Sequence, residues 1–134
     1  MTAKVFVDSN IWLYAFMEAS SPKHQLASDV IYNPSVILST QVISEVCFNL
    51  RRKADYTETE IRQTLDNFKK NYAVCIITVD VIYLASKLRE DSLISYWDSL
   101  IIASAIHAEC TVLYSEDMNH SQRIGGLVII NPFF

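Results

Sequence analysis

Glycine and proline are scarce in this chain of 134 residues, with 2 and 3 occurrences. No Ser-, Gln- or Pro-rich tract and no repeating period runs through it, which disfavours linkers, disorder and solenoid arrays. Cys47, Cys75 and Cys110 are odd in number and widely separated. Neither a disulfide framework nor a paired zinc ligand set is therefore indicated, and the three read as buried, reduced thiols of a cytoplasmic protein. The longest apolar run, near Leu100 to Ile106, is far shorter than the roughly 20 residues a membrane span needs. Asp8 interrupts the first apolar stretch too early for a secretory signal. A basic excess is missing too: 11 Lys and Arg stand against 15 Asp and Glu, a formal charge of −4. This balance argues against a general electrostatic nucleic-acid binder, so any nucleic acid must be held locally.

What is present suits one soluble globular unit over residues 1–134, because a 51% hydrophobic composition supplies apolar surface for a single core. Val5-Phe6-Val7 reads as a buried strand, and Asp8-Ser9-Asn10 can cap a helix running through Ile11 to Met17. Ser21-Pro22 opens a second helix that Asn33-Pro34 stops. Val36 to Ser39 is a β-prone run, followed by the apolar helical stripe Val42, Ile43, Val46, Cys47 and Leu50, closed by Arg51-Arg52-Lys53. Thr57 to Glu60 has the capping-box pattern ahead of Ile61, Leu65 and Phe68. Val74 to Val79 is expected as a strand, then a helix carries Val81, Ile82, Ala85 and Leu88. A further helix, about Tyr96 to Ala108, is expected to turn Trp97, Leu100, Ile101 and Ala105 inward. Thr111 to Tyr114 and Leu127 to Ile130 are strands on either side of a polar loop. Strands alternating with helices imply an α/β fold, with a central, mostly parallel sheet flanked by helices on both faces. Such folds bind ligands at the carboxyl ends of their strands.

Four acids fall where that rim should be. Asp8 ends the first strand, Glu45 stands one turn into the helix after the second, Asp98 lies in the first turn of an apolar helix, and Asp117 follows the Thr111 to Tyr114 strand. Each alone has an ordinary role as a cap, a dipole partner, a turn residue or a solvated side chain. Together they would repel one another, and a divalent cation resolves that conflict. Oxygen-only ligands favour Mg²⁺ or Mn²⁺ over zinc. Such an ion polarises a phosphodiester oxygen and activates water for in-line attack. Ser9, Asn10 and Ser115 are neutral neighbours able to orient ligands or waters. Of the three histidines, His24 and His107 read as plain helix residues and only His120 lies near the rim.

These residues resemble the PIN-domain nucleases, and within them the VapC-like toxins of toxin–antitoxin pairs. The likeness runs along nearly the whole chain through Val5-Phe6-Val7-Asp8-Ser9-Asn10, Gln41-Val42-Ile43-Ser44-Glu45, Tyr96-Trp97-Asp98-Ser99-Leu100-Ile101 and Leu113-Tyr114-Ser115-Glu116-Asp117-Met118. The resemblance assigns Asp8, Glu45, Asp98 and Asp117 to the acidic metal site, puts Ser9 where the family often has Thr, and leaves Glu116 as an alternative to Asp117. It implies a PIN-like α/β/α sandwich with strand order 3-2-1-4-5 and a homodimer. It also implies Mg²⁺- or Mn²⁺-dependent cleavage of RNA, and a cognate antitoxin that can place a basic side chain in the acidic site. Candidates for RNA contact are Arg51, Arg52, Lys53, Lys69, Lys70, Lys87 and Arg89, with Trp12, Tyr14, Tyr96 and Trp97 as stacking or packing aromatics. Packing is the favoured role for Trp97. A non-catalytic binding module and a solitary RNA-processing nuclease are the alternatives. A receiver or phosphatase domain is opposed, since no adjacent acid pair and no second Asp two residues on accompany Asp8.

Overall fold

The computed structural model describes residues 3–17 and 19–134. The chain begins with β1 (Val5–Val7), α1 (Ser9–Met17) and α2 (Pro22–Ile31), then β2 (Val36–Ser39), α3 (Thr40–Ala54) and α4 (Glu58–Asn71). It continues through β3 (Ala73–Cys75), α5 (Val79–Asp91), α6 (Tyr96–His107), β4 (Val112–Tyr114), β5 (Arg123–Ile124) and β6 (Leu127–Ile130). The strands form one sheet in the order β3-β2-β1-β4-β6-β5. Every neighbouring pair is parallel except the β5–β6 hairpin. Apart from the short β5, this is the 3-2-1-4-5 order that the resemblance implied.

Local signals explain most boundaries. Ser21 caps α2 ahead of Pro22, its hydroxyl accepting from the Lys23 amide at 3.2 Å. Thr57 and Glu60 form a reciprocal capping box on α4. Arg51, Arg52 and Lys53 fill the last turn of α3, which ends on Asp55 in the left-handed region. Both faces of the sheet are covered, so β1 and β2 are buried along their whole length. Trp12 is fully buried, packs edge-on against Phe68 and Tyr72, and donates from Nε1 to the Val7 carbonyl at 3.1 Å. Its indole serves the core, which removes it from the candidates for base stacking.

Four expectations need correction. The strand expected over Val74 to Val79 stops at Cys75, because the last pair is Ser39 with Cys75 and β2 then turns into α3. Beyond that point no strand among the described residues pairs with the chain, and Thr78 instead caps α5 through the Val81 amide. A second departure is the unexpected hairpin strand β5, joined to β6 by Gly125 and Gly126, with Gly125 at φ +60. Thirdly, Trp97 does not point inward. It is 63% exposed at the start of α6, against an edge of Tyr96. Lastly, only Cys110 of the three thiols is buried; Cys47 and Cys75 are half-buried. Burial pushes the Cys110 thiol up to about 12.

Among the described residues, no helix is long and apolar enough to cross a membrane.

Candidate active site

The sheet register builds the rim. Val7 pairs with Tyr114 where β1 and β4 run parallel. The residues that follow, Asp8 and Ser115, therefore leave the two strands side by side. The Asp8 amide donates to the Tyr114 carbonyl at 3.0 Å and the Ser115 amide to the Ile130 carbonyl at 3.0 Å, which extends the ladder one step past the strands. The Ser115 hydroxyl, wholly buried, donates to Asp8 Oδ2 at 2.9 Å, and the Ser9 amide donates to Asp8 Oδ1 at 2.7 Å. Both carboxylate oxygens of Asp8 are thus held in place.

Glu45 reaches the same rim from α3. Ser39 ends β2 and caps α3, its hydroxyl accepting from the Val42 amide at 3.3 Å, so Glu45 falls on the second turn. Its Oε2 accepts from the Ser9 hydroxyl and its Oε1 from Gln41 Nε2 at 3.0 Å. Asp98 sits in the first turn of α6, where the Ser95 hydroxyl accepts from its amide at 3.2 Å. Asp98 and Asp117 line one cavity of about 180 Å³ with Ser95, Ile102 and Gln122. Asp117 is exposed and accepts from the Asn10 side-chain amide.

Glu116 belongs to a different setting. It pairs with the Lys23 ammonium from α2 and accepts from the Tyr14 hydroxyl at 2.8 Å. Lys23 also lies over the rings of Tyr14 and Phe133, 5.0 and 5.3 Å from their centroids. The structure therefore turns the two adjacent acids to different partners, Glu116 to Lys23 and Asp117 to Asn10.

The electrostatics register the crowding. Burial is the main cause that raises Asp8 from the ordinary aspartate range to about 6. The Ser9 amide and Ser115 hydroxyl oppose the rise, while the charges of Glu45 and Asp98 add to it. Asp98 is raised as well, first by burial and then by Asp117 and Glu45, against the Ser95 hydroxyl. Among the described residues the ion pairs are Lys23–Glu116 and Arg51–Glu58, so none of the four rim acids has a cationic partner there.

Four carboxylates on one rim, with Asp8 and Asp98 raised by burial and by the charges of their neighbours, are a donor set for a hard divalent cation. They do not close on a single point: among the described residues, no three His, Cys, Asp or Glu side chains converge at ligating distance. That openness fits Mg²⁺, which commonly takes one or two carboxylates directly and keeps several waters. The residues present therefore fit such an ion, in an arrangement that leaves room for water and substrate.

Several basic candidates are already engaged. Arg51 bonds the Tyr56 carbonyl at 2.6 Å and Glu58 at 3.1 Å. Arg89 donates to the Ser99 hydroxyl at 2.7 Å and lies over Tyr96 at 4.5 Å. Lys53 shares a cavity with Asn10, Leu13, Tyr14 and Met17, beside the donor to Asp117. His120 accepts the Asn131 amide on Nδ1 at 3.0 Å and stacks on Phe134, which ties down the loop beyond Asp117. Sequence reasoning missed Lys23 as the counter-ion of Glu116, since the two are 93 positions apart. Gln41 stood in the motif that ends at Glu45, with no task assigned to it.

The family model described as the PIN domain matches residues 5–125. No curated protein matches the chain. Among solved structures, a toxin–antitoxin complex from Klebsiella pneumoniae is 18% identical, covers 96% of this chain and 98% of its own, and superposes with a TM-score of 0.74. Mycobacterium tuberculosis VapC20, described as a toxin that cleaves the sarcin–ricin loop, is 19% identical over 85% of this chain and 90% of its own, with a TM-score of 0.69. VapBC2 from Rickettsia felis, bound to a fragment of promoter DNA, is 18% identical over 93% and 96%, with a TM-score of 0.66. At these identities the likeness is one of fold.

Proposed function

We propose that this chain, which belongs to the PIN domain family, is the toxin of a toxin–antitoxin pair and hydrolyses RNA at the Asp8, Glu45, Asp98 and Asp117 rim with Mg²⁺ or Mn²⁺. The observation that carries the reading is the rim: four acids from four separate parts of the chain, three of them held by neutral donors and all lacking a cationic partner among the described residues. The toxin half of the reading draws on similarity in fold to VapC20 and to toxin–antitoxin complexes.

In this reading Asp8, Asp98 and Glu45 hold the ion, directly or through its waters, and Asp117 rather than Glu116 is the fourth acid, because Lys23 already neutralises Glu116. When bound, the ion polarises a phosphodiester oxygen and lowers the pKa of a coordinated water. Ser115 and the Ser9 amide fix the two oxygens of Asp8, while Ser9 and Gln41 fix those of Glu45. Asn10 orients Asp117 and borders the cavity of Lys53, a cation placed to meet a flanking phosphate. An antitoxin would neutralise the same rim by inserting a basic side chain among the acids.

The homodimer implied by the resemblance also has a face available. Trp97 on α6 lines a groove of about 670 Å³ together with Ile77, Ile82, Tyr96 and Leu100, bordered by Gln41 and Glu45 of the rim, and Phe48 on α3 and Val79 and Tyr83 on α5 are further exposed apolar side chains. Exposed apolar surface of this kind marks an association surface. It also accounts for Trp97 facing outward. The catalytic reading is tested with Asp8→Asn and Asp98→Asn. Both are expected to abolish Mg²⁺-dependent RNA cleavage and growth arrest while circular dichroism stays that of a folded protein. Cleavage by either variant at the wild-type rate overturns it.

A further inference from the structure

Glu45 and Asp98 sit on different helices, and one side chain joins them. Gln41, one turn before Glu45 on α3, donates from Nε2 to Glu45 Oε1 at 3.0 Å and to the Trp97 carbonyl at 3.3 Å. That carbonyl belongs to the same peptide group as the Asp98 amide. The amide in turn donates to the Ser95 hydroxyl at 3.2 Å. The peptide leading into Asp98 is thus gripped on both sides, by the N-cap of its own helix and by a side chain from α3.

Stability does not account for this arrangement. Gln41 Oε1 is buried and has no hydrogen-bond partner among the described residues, and an orphaned buried acceptor weakens a fold. Turning the amide over gives no relief, because the oxygen would then face the Glu45 carboxylate and the Trp97 carbonyl. The orientation is dictated by the two acceptors it serves. A neutral donor also suits the place better than a cation, since it holds Glu45 without cancelling the charge.

We propose that Gln41 is a positioning residue that sets the spacing of Glu45 and Asp98 and so the affinity of the rim for a divalent ion. This rests on the metal-dependent reading of the rim. Gln41→Met, similar in length and lacking both the donor and the orphaned acceptor, is the decisive variant. Mn²⁺ affinity is measured by calorimetry, Tm on the metal-free protein, and kcat and KM on an unstructured RNA. Expected are a Tm equal to or above wild type, Mn²⁺ binding weaker by about tenfold to a hundredfold, and a fall in kcat with little change in KM. Should Gln41→Met not fold, Gln41→Asn keeps an amide too short to span both acceptors and is expected to weaken Mn²⁺ binding likewise. Unchanged Mn²⁺ affinity, whatever the Tm, overturns the positioning role alone. Failure of the wild-type protein to bind Mn²⁺ overturns the metal reading and this proposal with it.

Discussion

Glu116 and Asp117 are adjacent in the chain and end in opposite electrostatic settings. Glu116 is neutralised within the fold by Lys23 and hydrogen-bonded by Tyr14, whereas Asp117 joins a rim in which Asp8, Glu45 and Asp117 are held only by hydroxyl and amide donors. The contrast teaches how a carboxylate is kept for use. A cation closes the matter, as at Glu116, whereas a neutral donor fixes the geometry of an acid and leaves its charge to be met from outside. The burial that raises Asp8 to about 6 shows what that costs the fold.

The sharpest way to break the comparison is to neutralise the two neighbours in turn. Asp117→Asn is expected to lower Mg²⁺-dependent RNA cleavage by at least about tenfold, while Glu116→Gln leaves it near the wild-type level. Equal loss in the two variants would put both acids in one site. A second test concerns stability in the absence of metal. Asp8 has a higher pKa folded than unfolded, so its favourable contribution is fully present below the ordinary aspartate value and is lost as pH rises through about 6. At pH 7 the ionised form therefore burdens the fold by up to about 3 kcal/mol. Asp8→Asn should raise the unfolding free energy of the metal-free protein at pH 7 by a comparable amount, with little gain near pH 4, as urea titrations would show. A variant less stable than wild type at pH 7 would contradict the account of burial. The smallest effect belongs to the paired side. Tyr14→Phe removes one hydrogen bond to Glu116 and is expected to lower stability by about 1 to 2 kcal/mol without altering cleavage of RNA.

The order of strands came from the family resemblance alone, whereas the position of Asp8 was legible in the residues, because a short apolar run ending in an acid is a local pattern and parallel strands present their carboxyl ends on one side. Glu45 and Asp98 followed from the same frame, each within the first two turns of a helix that leaves the rim. The direction of Glu116 was not legible, since it depends on Lys23, brought alongside by the packing of α1 and α2. Nor was the exposure of Trp97. Helix α6 is apolar on all sides and most of its length is buried, so periodicity gave no outward face from which to read its first turn. The early end of β3 was hidden for a related reason: the β-branched run through Ile76 and Ile77 favours a strand, but β2 ends before it can pair. Gln41 lay within a recognised motif, yet its two acceptors sit 4 and 56 residues away. The second acceptor is apparent only in the fold, where Gln41 reaches the first turn of α6.

The most direct test of the central claim is the cleavage of RNA by the purified wild-type chain, measured with Mg²⁺ or Mn²⁺ present and again after removal of metal with EDTA. The account predicts discrete cleavage products with either ion, none in EDTA, and recovery when the metal is restored. RNA left intact at every metal concentration, or cut equally well in EDTA, would contradict it.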